Sequence, residues 1–166
     1  MGKILVAYYS FEGFTKQIAE TMATHINADI LEIHPKKEIK SKGFGKYVWG
    51  GSQVMMGKKP KLCPFDKQID DYDIILIGSP IWAGTYTPPI KSLLEEGFIH
   101  NKKVAYFYTF DGGAEKAEEK AKSVLEKQNS YLGAMGFLNP KDKRENMDLL
   151  TTAAINWVKQ LLTGIK

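Results

Sequence analysis

Cysteine is nearly absent from this chain. Cys63 stands alone, so neither an intramolecular disulfide nor a multi-cysteine metal site can form, and a reducing cytoplasm is the expected compartment. Histidine is scarce too. His25, His34 and His100 show no HxxxH or related ligand spacing, and each reads as a surface or helix-end residue. No apolar run approaches the roughly 20 residues that cross a bilayer, so no membrane span is expected. The first strand pattern starts at Lys3, so no signal peptide is expected. Val6 occupies the position where a myristoylation signal after Gly2 needs Ser or Thr. No low-complexity tract, internal repeat or linker interrupts the chain.

What is present is ordinary for a globular protein. Of 166 residues, 43% are hydrophobic and 25% charged, which suits one domain, 1–166, burying roughly 70% of its unfolded surface. The formal charge is +4. Lysines crowd residues 36–61, but they lie among glycines and match no DNA- or RNA-binding motif. They read as solvated side chains, and no nucleic-acid partner is expected.

Residues 3–9, 29–33, 73–78, 104–109 and, more weakly, 131–138 form short apolar runs without alternation. Such runs suit parallel strands covered on both faces. Helical patterns separate them. Ile18, Met22 and Ile26 recur four apart after Thr15, and Pro88-Pro89 opens a helix over 90–96. Residues 114–128 place Ala117, Ala121, Val124 and Leu125 on one face, and 142–162 place Met147, Leu150, Ala154, Trp157 and Leu161 on one stripe. The alternation predicts an α/β, doubly wound, five-stranded parallel sheet in a three-layer αβα sandwich. Residues 44–56 suggest a further helix, weakened by glycines at 45, 50 and 51.

In such a sheet, ligands gather at the carboxyl ends of the strands. Three loops there are unusual. After the first strand comes Ser10-Phe11-Glu12-Gly13-Phe14-Thr15, two hydroxyls and a glycine leading straight into a helix. The first amides of a helix have no internal partner and its dipole favours anions, so this loop suits a phosphate. After the third strand comes Gly78-Ser79-Pro80-Ile81-Trp82-Ala83-Gly84-Thr85-Tyr86, and after the fourth Thr109-Phe110-Asp111-Gly112-Gly113. A phosphate cradle, a large flat aromatic and a glycine-rich backbone edge are what a phosphorylated planar heterocycle requires. Taken singly, each has a plainer reading: a helix cap, a packing tryptophan, a turn. Asp111 reads as solvated or as a cap for a helix starting at Ala114. Tyr47 and Trp49 are read as core or lid packing.

Other chemistries of related folds lack their residues. A phosphoacceptor site would need an acidic cluster after the first strand, which here holds Ser10 and Glu12. A cysteine phosphatase would need C-x5-R in the first loop. Neither G-x-G-x-x-G nor G-x-x-x-x-G-K-[ST] occurs.

From Lys3 through the last helix, the chain resembles the short-chain flavodoxins. Ser10, Gly13 and Thr15 match the phosphate loop of that family, and Gly78, Ser79, Pro80 and Trp82 match its flavin-stacking loop. The resemblance implies strand order 2-1-3-4-5 and noncovalent FMN. It implies that Ser10 and Thr15, with backbone amides of residues 12–15, would bind the phosphate. Trp82 would stack on the isoalloxazine, with Pro80, Ile81, Ala83 and Gly84 beside it, and Phe110, Asp111, Gly112 and Gly113 would meet the pyrimidine edge. No side chain would make or break bonds, because the cofactor carries the reaction.

Three positions depart from the family pattern. Glu12 replaces a threonine, Phe14 replaces a polar residue, and Ala83 precedes the glycine of the second loop. A carboxylate about 4 Å from the phosphate would cost roughly 1 to 4 kcal/mol, unless Glu12 faces solvent and Lys16 offsets it. In flavodoxins a peptide beside N5 flips to bond the semiquinone, and a positive φ at Ala83 would cost roughly 1 kcal/mol relative to glycine, weakening that response.

The resemblance implies a low-potential electron carrier between redox proteins. An FMN-dependent reductase of a quinone-type acceptor, using NAD(P)H, is the alternative; a non-catalytic module of the same fold is a third. Net positive charge departs from the acidic character usual in the family, while Glu12, Glu95, Glu96 and Asp111 could still form an acidic rim.

Overall fold

A computed structural model describes residues 2–37, 57–139 and 147–165. The chain runs β1 (Ile4–Tyr8), α1 (Phe14–Ile26), β2 (Asp29–Glu32), a 3-10 turn (Ile69–Asp71) and β3 (Ile74–Trp82). It continues through β4 (Thr85–Tyr86), α2 (Pro88–Glu95), β5 (Lys103–Phe110), α3 (Ala117–Leu125), β6 (Ser130–Leu138) and α4 (Met147–Thr163). The suggested helix over 44–56, with Tyr47 and Trp49, lies outside the described residues.

The parallel strands lie in the order β2-β1-β3-β5-β6, which is the expected 2-1-3-4-5 once the short β4 is set aside. Val6 lies beside Ile30 on one side and Leu76 on the other, and Ile77 lies beside Tyr106; between β5 and β6 the register shifts by one residue after Val104. From β1 the chain moves outward to β2, then crosses back to β3 on the other side of β1. The loops leaving β1 and β3 therefore diverge, opening a crevice at their carboxyl ends.

The central strands β1, β3 and β5 bury both faces, which explains their unbroken apolar runs. Leu5, Ala7, Ile75, Ile77, Val104 and Tyr106 point to one side, against Ile90 and Leu93 of α2 and Ala121 and Leu125 of α3. Val6, Tyr8, Leu76, Ala105 and Phe107 point to the other, against Ile18 and Met22 of α1 and Ala154 and Val158 of α4. Trp157 is half-buried at the edge of that second core. Gly78 is required where it stands, because a Cβ there would collide with the Phe107 ring.

Two elements differ from their sequence reading. The third strand does not end at Gly78 but continues to Trp82, and Trp82 pairs back on Thr85 in an antiparallel hairpin with β4. Apolar pattern cannot reveal this extension, because Gly78-Ser79-Pro80 has the composition of a loop. The register shows why it holds: Gly78, Ser79 and Pro80 pair with Phe107, Tyr108 and Thr109 of the long β5. Similarly, the helix read from Ala114 begins at Ala117. Asp111 is therefore not its cap; its carboxylate accepts from Asn139 Nδ2 at 3.1 Å.

Candidate functional site

The loop after β1 is shaped by two local devices. Gly13 has φ +96°, a conformation that favours glycine, and its N–H donates to Ser10 Oγ at 3.1 Å. The chain is thereby curled into the start of α1. The first helical hydrogen bond runs from Gln17 N–H to Gly13 C=O. No side chain caps this helix, and its first turn contains no acidic residue. The positive end of its dipole thus faces the loop.

Thr15 is almost wholly buried, and its hydroxyl lies 2.8 Å from that of Thr109, the penultimate residue of β5. Such a bond uses one proton and leaves the second hydroxyl able to donate elsewhere. Lys16 is committed away from the loop. Its ammonium lies 3.1 Å from Glu32 and 3.9 Å from Glu20. Glu32 also accepts from the Tyr8 hydroxyl at 3.0 Å. Burial first, then the Glu32 carboxylate, raises the Tyr8 pKa, and the phenol stays neutral.

The second loop is the hairpin turn Ala83-Gly84. Both central residues have positive φ, +48° and +72°, as in the type I′ turn that best joins two twisted strands. Trp82 leads into it. The indole is held edge-on by two rings, Tyr9 at 6.2 Å and Phe11 at 5.5 Å between centroids. Such contacts fix an aromatic plane.

The third loop follows β5. Asn139, next after β6, donates its backbone N–H to Phe110 C=O at 2.7 Å, while its side chain holds Asp111. The rim between the two strands is closed by that double contact.

These three loops enclose a cavity of about 200 Å³. Of the residues expected at the site, Glu12, Phe14, Thr15, Pro80, Ile81, Trp82, Ala83, Phe110, Asp111 and Gly112 line it. Ser10, Gly13, Gly84 and Gly113 do not; the first three shape the two turns beside it, and Gly113 has φ +66°. Three lining residues were missed: Phe11, Thr109 and Asn139. Phe11 and Thr109 lay within the loops already singled out, so their adjacency was the available signal. Asn139 had none, because only the pairing of β6 with β5 brings it there.

A cavity of this size takes part of a phosphorylated ring system and leaves an edge outside. Hydroxyls and a helix N-terminus lie at one side, an indole and backbone amides at the other. The donor set fits a phosphate and a planar heterocycle. The family model described as Flavodoxin matches residues 3–160. The chain belongs to the flavodoxin family. Among solved structures, this chain is similar to a flavoprotein from Lactobacillus acidophilus in complex with FMN. That pair shares 27% identity over 82% of this chain and 93% of the other, at a TM-score of 0.70. The fold also matches Flavodoxin 2 from Bacillus cereus in oxidised form, at 18% identity, 98% and 99% coverage and TM-score 0.56. General stress protein 14 from Treponema denticola, in complex with FMN, matches at 14% identity, 96% and 99% coverage and TM-score 0.57. Among curated proteins no sequence matches. Among the described residues no helix is long and apolar enough to cross a membrane, and no cluster of three or more His, Cys, Asp or Glu could hold a metal.

Proposed function

We propose that this chain binds FMN in the crevice above β1, β3 and β5 and carries electrons between redox proteins. The observation that supports it best is the convergence of the three loops on one cavity, with an uncapped helix start, the Thr15–Thr109 hydroxyl pair and a braced Trp82 around it. FMN, when bound, supplies one-electron redox chemistry.

The chain's own residues bind and orient. The α1 start and the Thr15–Thr109 pair hold the phosphate, and Glu12 is exposed at the rim. Trp82 presents a flat surface to the ring, and Phe110 with Gly112 lines the opposite wall. The exposed rim, carrying Glu12 and Asp111, is the face for redox partners. The half-buried lone Cys63 suits a reducing compartment.

The test is a titration of apo-protein with FMN and, separately, riboflavin, followed by flavin fluorescence. Tight FMN binding with much weaker riboflavin binding supports the phosphate side of the site. Equal weak binding of both would end the redox reading in favour of an interaction module. Anaerobic mixing of the FMN-loaded protein with NAD(P)H then separates carrier from reductase: direct reduction of the flavin would overturn the carrier role.

A further inference from the structure

Beyond the cavity walls, one cation reaches the site from a neighbouring helix. Lys120, in the middle of α3, donates from Nζ to the Gly84 carbonyl at 3.0 Å. Gly84 is the second residue of the hairpin turn that carries Trp82 and Ala83 to the rim. That turn is under conformational load, because Ala83 sits at φ +48°, where an L-residue with a Cβ is disfavoured. The turn also abuts the third loop. A Cβ built on Gly84 would lie 3.4 Å from the Gly113 carbonyl oxygen and 3.9 Å from the lysine ammonium. Lys120 therefore sits where the second and third loops meet, outside the cavity but one residue from its lining.

We propose that Lys120 is a positioning residue for the flavin site. Its ammonium pins the turn in the positive-φ form and sets a positive charge behind the ring-binding edge. The inference rests on the FMN reading above. Two consequences follow. First, the hydrogen bond fixes the orientation of the Gly84 carbonyl, which restrains the neighbouring Ala83–Gly84 peptide. Second, the charge opposes the negative charge that builds on a reduced ring, and it works against the carboxylates of Glu12 and Asp111 in the cavity lining. The position is on the surface, so the effect is modest and salt-sensitive. A lysine on α3 is invisible to any reading of the three loops as sequence, since 36 residues separate it from its acceptor.

The experiment compares the wild-type chain with Lys120→Met and Lys120→Arg, each loaded with FMN. In Lys120→Met the potential for the second electron is expected to fall, with the gap to wild type narrowing at high salt. FMN and riboflavin should weaken by the same factor, about fivefold, since the contact serves the ring end and not the phosphate. In the apo-protein, amide exchange at residues 83–85 should quicken. Lys120→Arg should restore the potential and both affinities. Unchanged potentials and affinities in Lys120→Met would overturn the proposal, as would a loss confined to FMN. A wild-type chain that fails to bind FMN would instead remove the flavin reading itself, so the two failures are distinguishable.

Discussion

The hydroxyls of Thr15 and Thr109 meet at 2.8 Å although 94 residues separate them. Both side chains are about 2% exposed, so each depends on the other for its hydrogen bond. The pair ties the first turn of α1 to the carboxyl end of β5, the two elements that flank the anion side of the cavity.

Replacing Thr15 with Val removes the protein partner of the buried Thr109 hydroxyl. The expected loss is about 1–3 kcal/mol in the apo-protein, read from urea unfolding. Thr109→Val should cost a similar amount, and the double variant less than the sum, because no orphan remains. Strict additivity would mean that the two hydroxyls are not coupled. In the same variants FMN affinity should drop more than riboflavin affinity.

Ala83 holds an unfavourable backbone conformation at the rim. Ala83→Gly removes about 1–2 kcal/mol of native strain and returns about 0.4–1 kcal/mol through greater unfolded-chain freedom. A small net stabilisation is expected in denaturant melts. The larger effect should be on redox behaviour: a glycine frees the 83–84 peptide to reorient, and the two one-electron potentials should move apart. If they do not change, the turn plays no part in tuning.

Trp82 is braced on Tyr9 and Phe11, each edge contact contributing about 0.5–1.5 kcal/mol. Trp82→Ala should leave bound flavin fluorescent where the wild type quenches it, and should weaken riboflavin at least as much as FMN. Trp82→Phe should retain part of both. Full quenching in Trp82→Ala would argue that the indole packs the core and does not face the ring.

Alkaline pH offers a test of the interior. Burial first, then the Glu95 carboxylate and its hydrogen bond, pushes Tyr86 from an ordinary pKa of 10.0 up to about 12. The fold thus favours the neutral phenol. Its contribution is complete below pH 10 and is lost as pH rises towards 12. Tyr86→Phe should therefore lose less stability than the wild type across that interval, as read from urea midpoints at successive pH values. Parallel curves would show that the Tyr86 hydroxyl is not held.

Much of the fold was legible because burial on both faces leaves an unbroken apolar run, and the runs at 3–9, 73–78 and 104–109 needed no partner to be recognised. Two of the three loops were equally plain, since a glycine of positive φ at residue 13 and a Gly-Gly pair after β5 are written in residue type. What escaped was set by pairing. Residues 79–82 read as loop and became strand only because β5 extends beside them. The helix start at Ala117 could not be separated from Ala114 by pattern, and Asp111 then found Asn139.

By itself the sequence determined the cores of the central strands and the helical stretches between them, which loop could curl around an anion, and the family. These depend on local steric preference and on hydrophobic period, both properties of neighbouring residues. Only the tertiary structure decided that Thr15 would meet Thr109, that Lys16 would turn to Glu32, and that Lys120 would reach Gly84. Hydrogen bonds act over about 3 Å, and that proximity is created by the packing of α1 and α3 onto opposite faces of the sheet that holds β5, at sequence distances no local pattern encodes.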